Sequence, residues 1–159
     1  MDGIFIREST AQDAEAIGEI ARAAWEPIFD GYKKQLGEEI FRFLYPEDPL
    51  KKKQEEVKKA ACGEYCYVAE YEGKVVGFAT YLIECNGKLG VLANNAVSMR
   101  GHGIAGLLHE RIFEEMKKRG CTAVRVRTGL DEAHAPARRA YEKDGFTNTL
   151  SDITYFKML

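Results

Sequence analysis

The chain has 159 residues and a formal net charge of -2, with 45% hydrophobic and 30% charged residues. This length predicts a single domain over residues 1–159, and the composition excludes a disordered or collagen-like chain. The near-neutral charge argues against a general nucleic-acid binder, which needs a basic excess to neutralise phosphates. No apolar run approaches the ~20 residues of a membrane span, so we expect no membrane partner.

The cysteines and the first residues predict a cytoplasmic protein. Residues 1–7 lack the basic start and long apolar stretch of a secretory signal. The four cysteines form no C-x-x-C pair, and the three histidines are scattered along the chain. We therefore expect reduced thiols and no metal site.

The first third of the chain predicts one strand followed by helices. Alternating apolar residues make residues 3–8 a strand, and Thr10 with Asp13 resembles a capping box that opens a helix. Pro27 is expected to stop or kink this helix. Two further helices are predicted, at residues 36–45 and 54–61.

Three antiparallel strands are predicted next, joined by two tight turns. Glu72-Gly73 and Asn86-Gly87 are the turn signals, and Asn-Gly adopts the positive φ angles of a hairpin turn at little cost. The strands are predicted at residues 65–71, 74–84 and 89–98.

The last third alternates helices and strands. Apolar residues at helical spacing predict a helix over residues 103–119, ended by Gly120. A strand at residues 122–128 and a helix at 135–144 follow, then a strand beginning at Phe146 and a last strand at 153–159. The fold class predicted is α/β (mixed α+β), a mixed and mostly antiparallel sheet flanked by helices on both faces.

A glycine-rich turn lies where the third of these strands passes into the long helix. Gly101, Gly103 and Gly106 carry no side chain that blocks approach to the helix N-terminus, whose unpaired amides suit a pyrophosphate. The alternative is a tight strand-to-helix connection with no ligand. The turn has neither the Gly-Lys-Ser/Thr of a Walker loop nor the spacing of a dinucleotide-binding fingerprint.

Two segments resemble the GNAT superfamily of N-acetyltransferases. Residues 100–105 fit the form R-x-x-G-x-A of its cofactor motif, and residues 137–146 are similar to its A-x-x-x-Y-x-K-x-G-F segment. The predicted element order agrees with the GNAT fold over essentially the whole chain. The resemblance implies an enzyme that moves an acetyl group from acetyl-CoA to a primary amine by direct transfer, without a metal.

The resemblance also implies a set of cofactor-binding residues. Backbone groups of the strand end would bind the pantetheine arm, and amides of the glycine-rich turn would hold the pyrophosphate. His134 occupies a position that is often Asn in the family, and it either bonds the cofactor arm or caps the helix. The implied residues are Val97, Ser98, Met99, Arg100, Gly101, His102, Gly103, Ile104, Ala105, Gly106, His134 and Ala137.

Tyr141 occupies the position of the family's general acid. Transfer expels a thiolate, and a tyrosine of pKa ~10 can protonate a thiolate whose thiol has a pKa of ~8.5. The alternative is a ring that only packs on the sheet. No clear general base is evident. Glu84 is better interpreted as a solvent-facing hairpin residue. Asn94 or Asn95 either positions a water that removes the amine proton or marks a bulge.

The acceptor pocket is predicted after the start of the first helix. Trp25, Glu26 and Phe29 combine aromatic rings with a carboxylate, which suits a cationic amine. Alternatively, Trp25 and Phe29 pack this segment against the core. The acceptor is a small-molecule amine or a protein amine, and the resemblance allows a homodimer.

Two other functions stay open from the sequence. One is a non-catalytic CoA-binding sensor or regulatory module on the same fold. The other is a nucleotide-binding protein that uses the same helix terminus.

Overall fold

The computed structural model describes residues 3–63 and 65–159. The expectation that residues 1–7 form no secretory signal includes residues 1 and 2, which lie outside the described residues. Within the described ranges the chain forms five strands and four α-helices. They are β1 (Ile4–Glu8), α1 (Ala14–Leu44), α2 (Pro49–Ala61), β2 (Cys66–Tyr71), β3 (Lys74–Glu84), β4 (Leu89–Val97), α3 (Ile104–Lys118), β5 (Ala123–Val126) and α4 (Ala135–Lys143). Across these ranges no helix is both long and apolar enough to cross a bilayer.

The strands form one mixed sheet in the order β1-β2-β3-β4-β5. Neighbouring strands are antiparallel except β4 and β5, which are parallel. One apolar layer packs α3 and α4 on the sheet, with Leu108 and Ile112 at its centre. A second layer packs α1 and α2 on the other face, around Ile17 and Val57. The predicted fold class, a mostly antiparallel sheet with helices on both faces, is therefore confirmed.

The predicted helix cap and the two predicted turns are present in the structure. Asp13 Oδ2 accepts the Thr10 N–H at 2.7 Å, as the capping box predicts. Glu72 and Gly73 both have positive φ, as do Asn86 and Gly87 in the β3–β4 hairpin. Positive φ at these residues closes the β2–β3 and β3–β4 turns.

The first helix is longer than predicted. It continues through Pro27, so of the two effects expected there, a stop or a kink, the stop is wrong. It also takes in most of the separate helix predicted at residues 36–45. The break lies instead at Gly37, with φ 77° and ψ 162°, a conformation that glycine adopts without a Cβ clash. Helix α2 begins at Pro49, before the predicted residue 54, because Asp48 Oδ1 caps it by accepting from Leu50 N and Lys51 N.

The two predicted C-terminal strands are absent. Residues 146–159 form no strand in the described chain, so the strand predictions at Phe146 and at 153–159 are wrong for this structure. Gly145, with φ 92°, turns the chain out of α4, and the Phe146 N–H then donates to Tyr141 O at 3.0 Å. Beyond Phe146 no neighbouring strand accepts the hydrogen bonds that a strand needs.

Candidate active site

The centre of the site is an opening between β4 and β5. The two strands pair only from Leu89 with Ala123 to Leu92 with Val126. From residue 93 to residue 97, β4 pairs with no described strand except β3, so its other edge is open in the described part of the chain. The pairing with β3 is also irregular between Ala79 and Tyr81. The sheet therefore splays where β5 ends.

A bulge in β4 accompanies the splay. The Asn94 N–H donates to Thr80 Oγ1 at 3.0 Å, and Thr80 Oγ1 donates to Asn94 O at 3.2 Å. The Thr80 hydroxyl thus takes the place of a backbone partner, which is how a bulge keeps its polar groups satisfied. Of the two alternatives left open for Asn94 and Asn95, the bulge is confirmed.

The backbone of β4 presents alternate residues to the open edge. The Ser98 N–H and its Oγ both donate to Val76 O, at 2.9 and 3.0 Å, so Ser98 faces β3 and has no free amide for a ligand. In an antiparallel pair, backbone groups of successive residues point to opposite sides. The N–H and C=O of Asn95 and Val97 therefore face the opening.

The glycine-rich turn lies beyond the end of β4. Gly101 has φ 82° and Gly103 has φ 73°, and a Cβ built on either one meets no atom within 4 Å. Gly103 is the N-cap of α3, and the first N–H in the helical ladder is that of Leu107, bonded to Gly103 O at 3.2 Å. The N–H groups of the three preceding helical residues, 104–106, thus have no partner within the helix. This arrangement is an open cradle of backbone donors, and its shape fits a pyrophosphate.

Other residues of this turn differ in exposure. Ser98, Arg100, Gly101 and His102 are exposed, and the Ile104 side chain is buried in the core at 1% exposure. Met99 is half-buried and packs against the core layer under α3. A cavity of about 510 Å³ runs along α3 from Gly103, and its charged lining residues are Glu110, Glu114, Lys117 and Asp144. A Cβ on Gly106 would lie 3.8 Å from Asp144 Oδ1, so this carboxylate lies beside the turn.

Tyr141 lies at the splayed part of β4. Its ring is buried at 7% exposure, and its Oη accepts a hydrogen bond from Asn95 Nδ2 at 3.0 Å. Burial raises the pKa of Tyr141 above its ordinary value, and the Asn95 hydrogen bond opposes that shift. The hydroxyl is therefore protonated at neutral pH, and its own proton is free to be donated.

A buried histidine–carboxylate pair joins α3 to the C-terminal end of α4. His109 Nδ1 lies 2.5 Å from Asp144 Oδ2, and the His109 ring centroid is 5.7 Å from that of Tyr141. Burial, the larger effect, lowers the pKa of His109, although the bond to Asp144 opposes this. Sequence reasoning missed this pair. The only sequence signal was a histidine beside the apolar stripe of α3.

The residues before α4 bond mainly to one another. His134 Nδ1 lies 2.7 Å from Asp131 Oδ2, and the His134 ring stacks on Tyr32 of α1 at 6.2 Å. Arg138 donates to Gly129 O and Asp131 O. His134 is the N-cap residue of α4 but makes no side-chain cap bond. Ala137 packs into the core layer around Tyr141.

The predicted acceptor residues all lie on α1. Trp25 is half-buried against the second core layer, and Lys53 Nζ sits 5.3 Å from its ring centroid. Phe29 makes edge contacts with Tyr32 and with Tyr45. Glu26 is exposed. Trp25 therefore packs against the core, as the alternative interpretation expects, whereas Phe29 contacts Tyr32, whose ring stacks on His134.

A polar cluster on the α2 side of the bulge was not predicted. Lys53 Nζ donates to Asn94 Oδ1 at 3.2 Å, and Asn94 Nδ2 donates to Glu56 Oε1 at 3.0 Å. Glu56 and Asn94 line a cavity of about 310 Å³ between α2 and the bulge. The sequence showed only the charged face of a helix here. Glu84, by contrast, pairs with Arg125 at 3.0 Å at the hairpin end, as a hairpin residue would.

Comparison with known proteins agrees with this geometry. Residues 25–146 match the Acetyltransferase (GNAT) family. The fold is similar to a PaiA N-acetyltransferase from Thermoplasma acidophilum in complex with coenzyme A (TM-score 0.69, 22% identity, 94% of this chain and 93% of that one). It is also similar to AAC(6')-Iy in complex with the bisubstrate analogue CoA-S-monomethyl-acetylneamine (TM-score 0.66, 20% identity, 99% and 100%).

A third similar structure is Ard1 from Thermoplasma volcanium, with a TM-score of 0.67 and 20% identity over 93% of this chain and 85% of that one. The family match covers most of the chain, and the shared fold covers nearly all of it. The resemblance read from the two motifs is therefore confirmed, together with the predicted activity, an acetyl-CoA-dependent acyltransferase acting on an amine. This chain belongs to the GNAT acetyltransferase family.

Proposed function

We propose that the opening between β4 and β5 is the catalytic cleft and that Tyr141 is the general acid. Acetyl-CoA supplies an activated thioester whose departing thiolate needs a proton. Tyr141 Oη already accepts from Asn95 Nδ2, so its proton points to another acceptor and is available for the thiolate. The raised pKa of Tyr141 keeps that proton in place at neutral pH. This hydrogen bond at the open edge of β4 is the observation that carries the proposal.

The cofactor is held by backbone groups rather than by charged side chains. The N–H and C=O groups of Asn95 and Val97 face the open edge, where they bind the pantetheine arm as a neighbouring strand would. One of these N–H groups donates to the thioester carbonyl oxygen. The cradle from Gly101 to Gly106 takes the pyrophosphate, because a Cβ at Gly101 or Gly103 would occupy the space that a phosphate needs.

The acceptor is proposed to be a small cationic amine that enters between α1 and the bulge. Trp25 and Glu26 lie on α1, and Glu56 lies on α2 beside Asn94. Aromatic faces and carboxylates attract an ammonium group before it loses its proton. A protein amine is the second acceptor class, and it would need the same carboxylates to hold a lysine or an N-terminus.

The working unit is proposed to be one catalytic domain over residues 1–159, acting in the cytoplasm as a homodimer. All four cysteines are free thiols, which suits a reducing compartment.

Tyr141→Phe tests the proposed role, with Tyr71→Phe on β2 as the matched control. Thiol release from acetyl-CoA is followed with a panel of amines, and CoA binding is measured separately by thermal shift. We expect Tyr141→Phe to lower kcat by roughly 100-fold, the lower end for general acid catalysis, while CoA binding is kept. Unchanged turnover would remove Tyr141 from the mechanism. CoA binding without thiol release in the wild type, across the whole panel, would favour the non-catalytic CoA-binding module.

A further inference from the structure

A second histidine–carboxylate pair lies at the start of α4, among residues that the proposed function does not use. His134 Nδ1 lies 2.7 Å from Asp131 Oδ2, and Asp131 Oδ1 accepts the His134 N–H at 3.3 Å. The two side chains are 13% and 20% exposed, so water reaches the pair but does not surround it. We call these two residues the His134–Asp131 dyad.

The surrounding chain holds the dyad in this geometry. Arg138 Nη1 donates to Gly129 O and to Asp131 O, at 2.6 and 2.7 Å, and so fixes the turn that carries Asp131 to α4. Gly129 has no positive φ, so its backbone does not require a glycine. A Cβ there would nevertheless lie 2.5 Å from His134 Nδ1 and closer still to Asp131 Oδ2, so only glycine leaves room for the dyad. Such support from neighbouring groups is what preorganises a functional side chain.

The contact with Asp131 leaves the other ring nitrogen of His134 available. Burial alone would raise the pKa of Asp131, but the contacts with His134 outweigh it and keep that pKa below its ordinary value. The ionised carboxylate holds a proton on Nδ1 of the neutral ring, which leaves a lone pair on Nε2. Within residues 3–63 and 65–159, no group bonds to His134 Nε2. A carboxylate that orients an imidazole in this way makes histidine an effective proton acceptor.

The dyad follows the strand that borders the cleft. β5 ends at Val126, and the chain continues from there through Gly129 into the dyad. His134, Ala137 and Tyr141 are spaced three and four residues apart, which places them on one side of α4. Seven residues of helix separate His134 from Tyr141 by roughly 10 Å. That spacing suits an acid and a base on two sides of one carbonyl carbon, each within a hydrogen bond of ~3 Å or one water of its partner.

The His134 ring also contacts the helix on which the acceptor residues are predicted. It stacks on the Tyr32 ring of α1, with centroids 6.2 Å apart and an interplanar angle of 26°. Tyr32 makes an edge contact with Phe29, one of the predicted acceptor residues. The dyad therefore lies between the proposed acid on α4 and the predicted acceptor residues on α1, where a base for the amine is needed.

We propose that His134 is the general base of the transfer and that Asp131 is its positioning residue. The assignment rests on the proposed function, because it takes Tyr141 as the acid. His134 Nε2 accepts a proton from the amine, directly or through one water, as the amine nitrogen bonds to the thioester carbon. The C–S bond breaks, and Tyr141 protonates the departing thiolate.

Protons balance over the whole reaction. The products are the acetylated amine and CoA, and the proton on His134 returns to Tyr141 through solvent. An amine that arrives as an ammonium ion releases one further proton to solvent.

The pH dependence of the rate tests this role with an alkylamine that the wild type acetylates. Initial rates are measured from ~pH 6 to ~pH 9.5 for the wild type, His134→Asn and Asp131→Asn. Asparagine keeps a donor for Asp131 but has no basic nitrogen. Glu132→Gln is the matched control for Asp131→Asn, since Glu132 is an exposed carboxylate in the same turn. Thermal shift with CoA shows that each variant folds and binds the cofactor, and either dyad variant alone is enough for the test.

The other groups around the dyad keep their charge over this pH range. Burial, the largest effect, raises the pKa of Tyr32, which therefore stays protonated. Arg127 after β5 and Arg138 on α4 stay positively charged. Asp131 stays ionised, because its pKa lies below the ordinary value. A pH-dependent change at the dyad is therefore assigned to His134.

We expect His134→Asn to lower kcat/KM for the amine by roughly 100-fold near ~pH 7, the lower end for general base catalysis, with KM for acetyl-CoA unchanged. At ~pH 9.5 the loss should fall below ~10-fold, because an alkylamine of pKa ~10 then reaches the site far more often in its neutral form. Asp131→Asn should show the same pattern with smaller losses, and Glu132→Gln should match the wild type.

Two results would overturn the proposal. A loss of equal size at every pH would give His134 a structural role only, and a raised KM for acetyl-CoA with unchanged kcat would make it a residue that binds the cofactor arm. Tyr141→Phe in the same series separates this proposal from the proposed function. An active His134→Asn beside an impaired Tyr141→Phe refutes only the base, and the reverse refutes only the acid.

Discussion

Replacing Gly103 with alanine tests the cofactor cradle, and Gly120→Ala is its matched control. Both glycines lie at the ends of α3, both have positive φ (73° and 91°), and a Cβ on either one meets no protein atom within 4 Å. The two substitutions therefore impose the same kind of backbone strain. They differ in place: Gly103 lies in the proposed phosphate cradle, and Gly120 lies at the opposite end of the helix.

The expected magnitudes follow from this match. A non-glycine residue in the left-handed region costs ~1–2 kcal/mol. For a chain of this size each kcal/mol shifts Tm by roughly 2–4 °C, so either variant should lose roughly 2–8 °C without ligand. CoA at ~100 times its Kd adds about 2.7 kcal/mol to the native state, which is a rise of roughly 5–11 °C. If the alanine methyl weakens CoA binding ~100-fold, the same CoA concentration adds only about 0.4 kcal/mol.

Differential scanning fluorimetry with and without CoA measures both quantities. We expect similar starting losses in the two variants, a nearly complete CoA-induced rise in Gly120→Ala, and a rise of only one or two degrees (~1–2 °C) in Gly103→Ala. A full rise in Gly103→Ala would refute the cradle. An equally reduced rise in Gly120→Ala would mean that strain in α3, rather than contact with phosphate, controls binding.

Three other variants test neighbouring parts of the site. Asn95→Ala removes the donor to Tyr141 Oη. It should lower kcat by roughly fivefold, the effect of losing one hydrogen bond, and leave KM for acetyl-CoA unchanged. A change of equal size in kcat and in KM for acetyl-CoA would contradict a role in positioning the acid. Glu26→Gln should raise KM for amines but not for acetyl-CoA, whereas Glu19→Gln, two turns earlier on α1, should change neither. Asp13→Asn should cost about 2 kcal/mol of unfolding free energy near ~pH 6. The reason is that the Arg7 guanidinium lowers the pKa of Asp13 to about 2, although burial opposes this shift. That cost should disappear as the pH falls through ~4 towards 2, because the carboxylate of the wild type becomes protonated there. Urea titrations at several pH values measure the cost. A cost that does not change with pH would refute the stabilising ion pair.

Much of the fold could be predicted because its signals are local. Asn86-Gly87 and Glu72-Gly73 determine their turns through their own φ angles, and Gly120 and Gly145 end their helices in the same way. The apolar spacing of α3 is visible without any tertiary contact. Tyr141 and the glycine-rich turn were found because motif residues lie close together in sequence.

Features that depend on distant contacts could not be predicted. The His109–Asp144 pair joins residues 35 positions apart, and nothing near His109 in the sequence indicates its partner. The Lys53–Asn94 bond spans 41 positions in the same way. Pro27 illustrates the opposite failure: its local rule predicts a helix end or a kink, yet α1 continues past it to Leu44. The residues beyond Pro27 make distant contacts that the rule does not include, such as that of Phe29 with Tyr45.

Incomplete pairing between β4 and β5 shapes the proposed catalytic cleft. β5 was predicted over seven residues and forms only Ala123–Val126, so it covers the first half of β4 and leaves the second half open to the cofactor. Had β5 continued along β4, the N–H groups of Asn95 and Val97 would be bonded to it and could not bind a pantetheine arm. The early end of β5 is therefore what leaves one edge of β4 open for the proposed cofactor site.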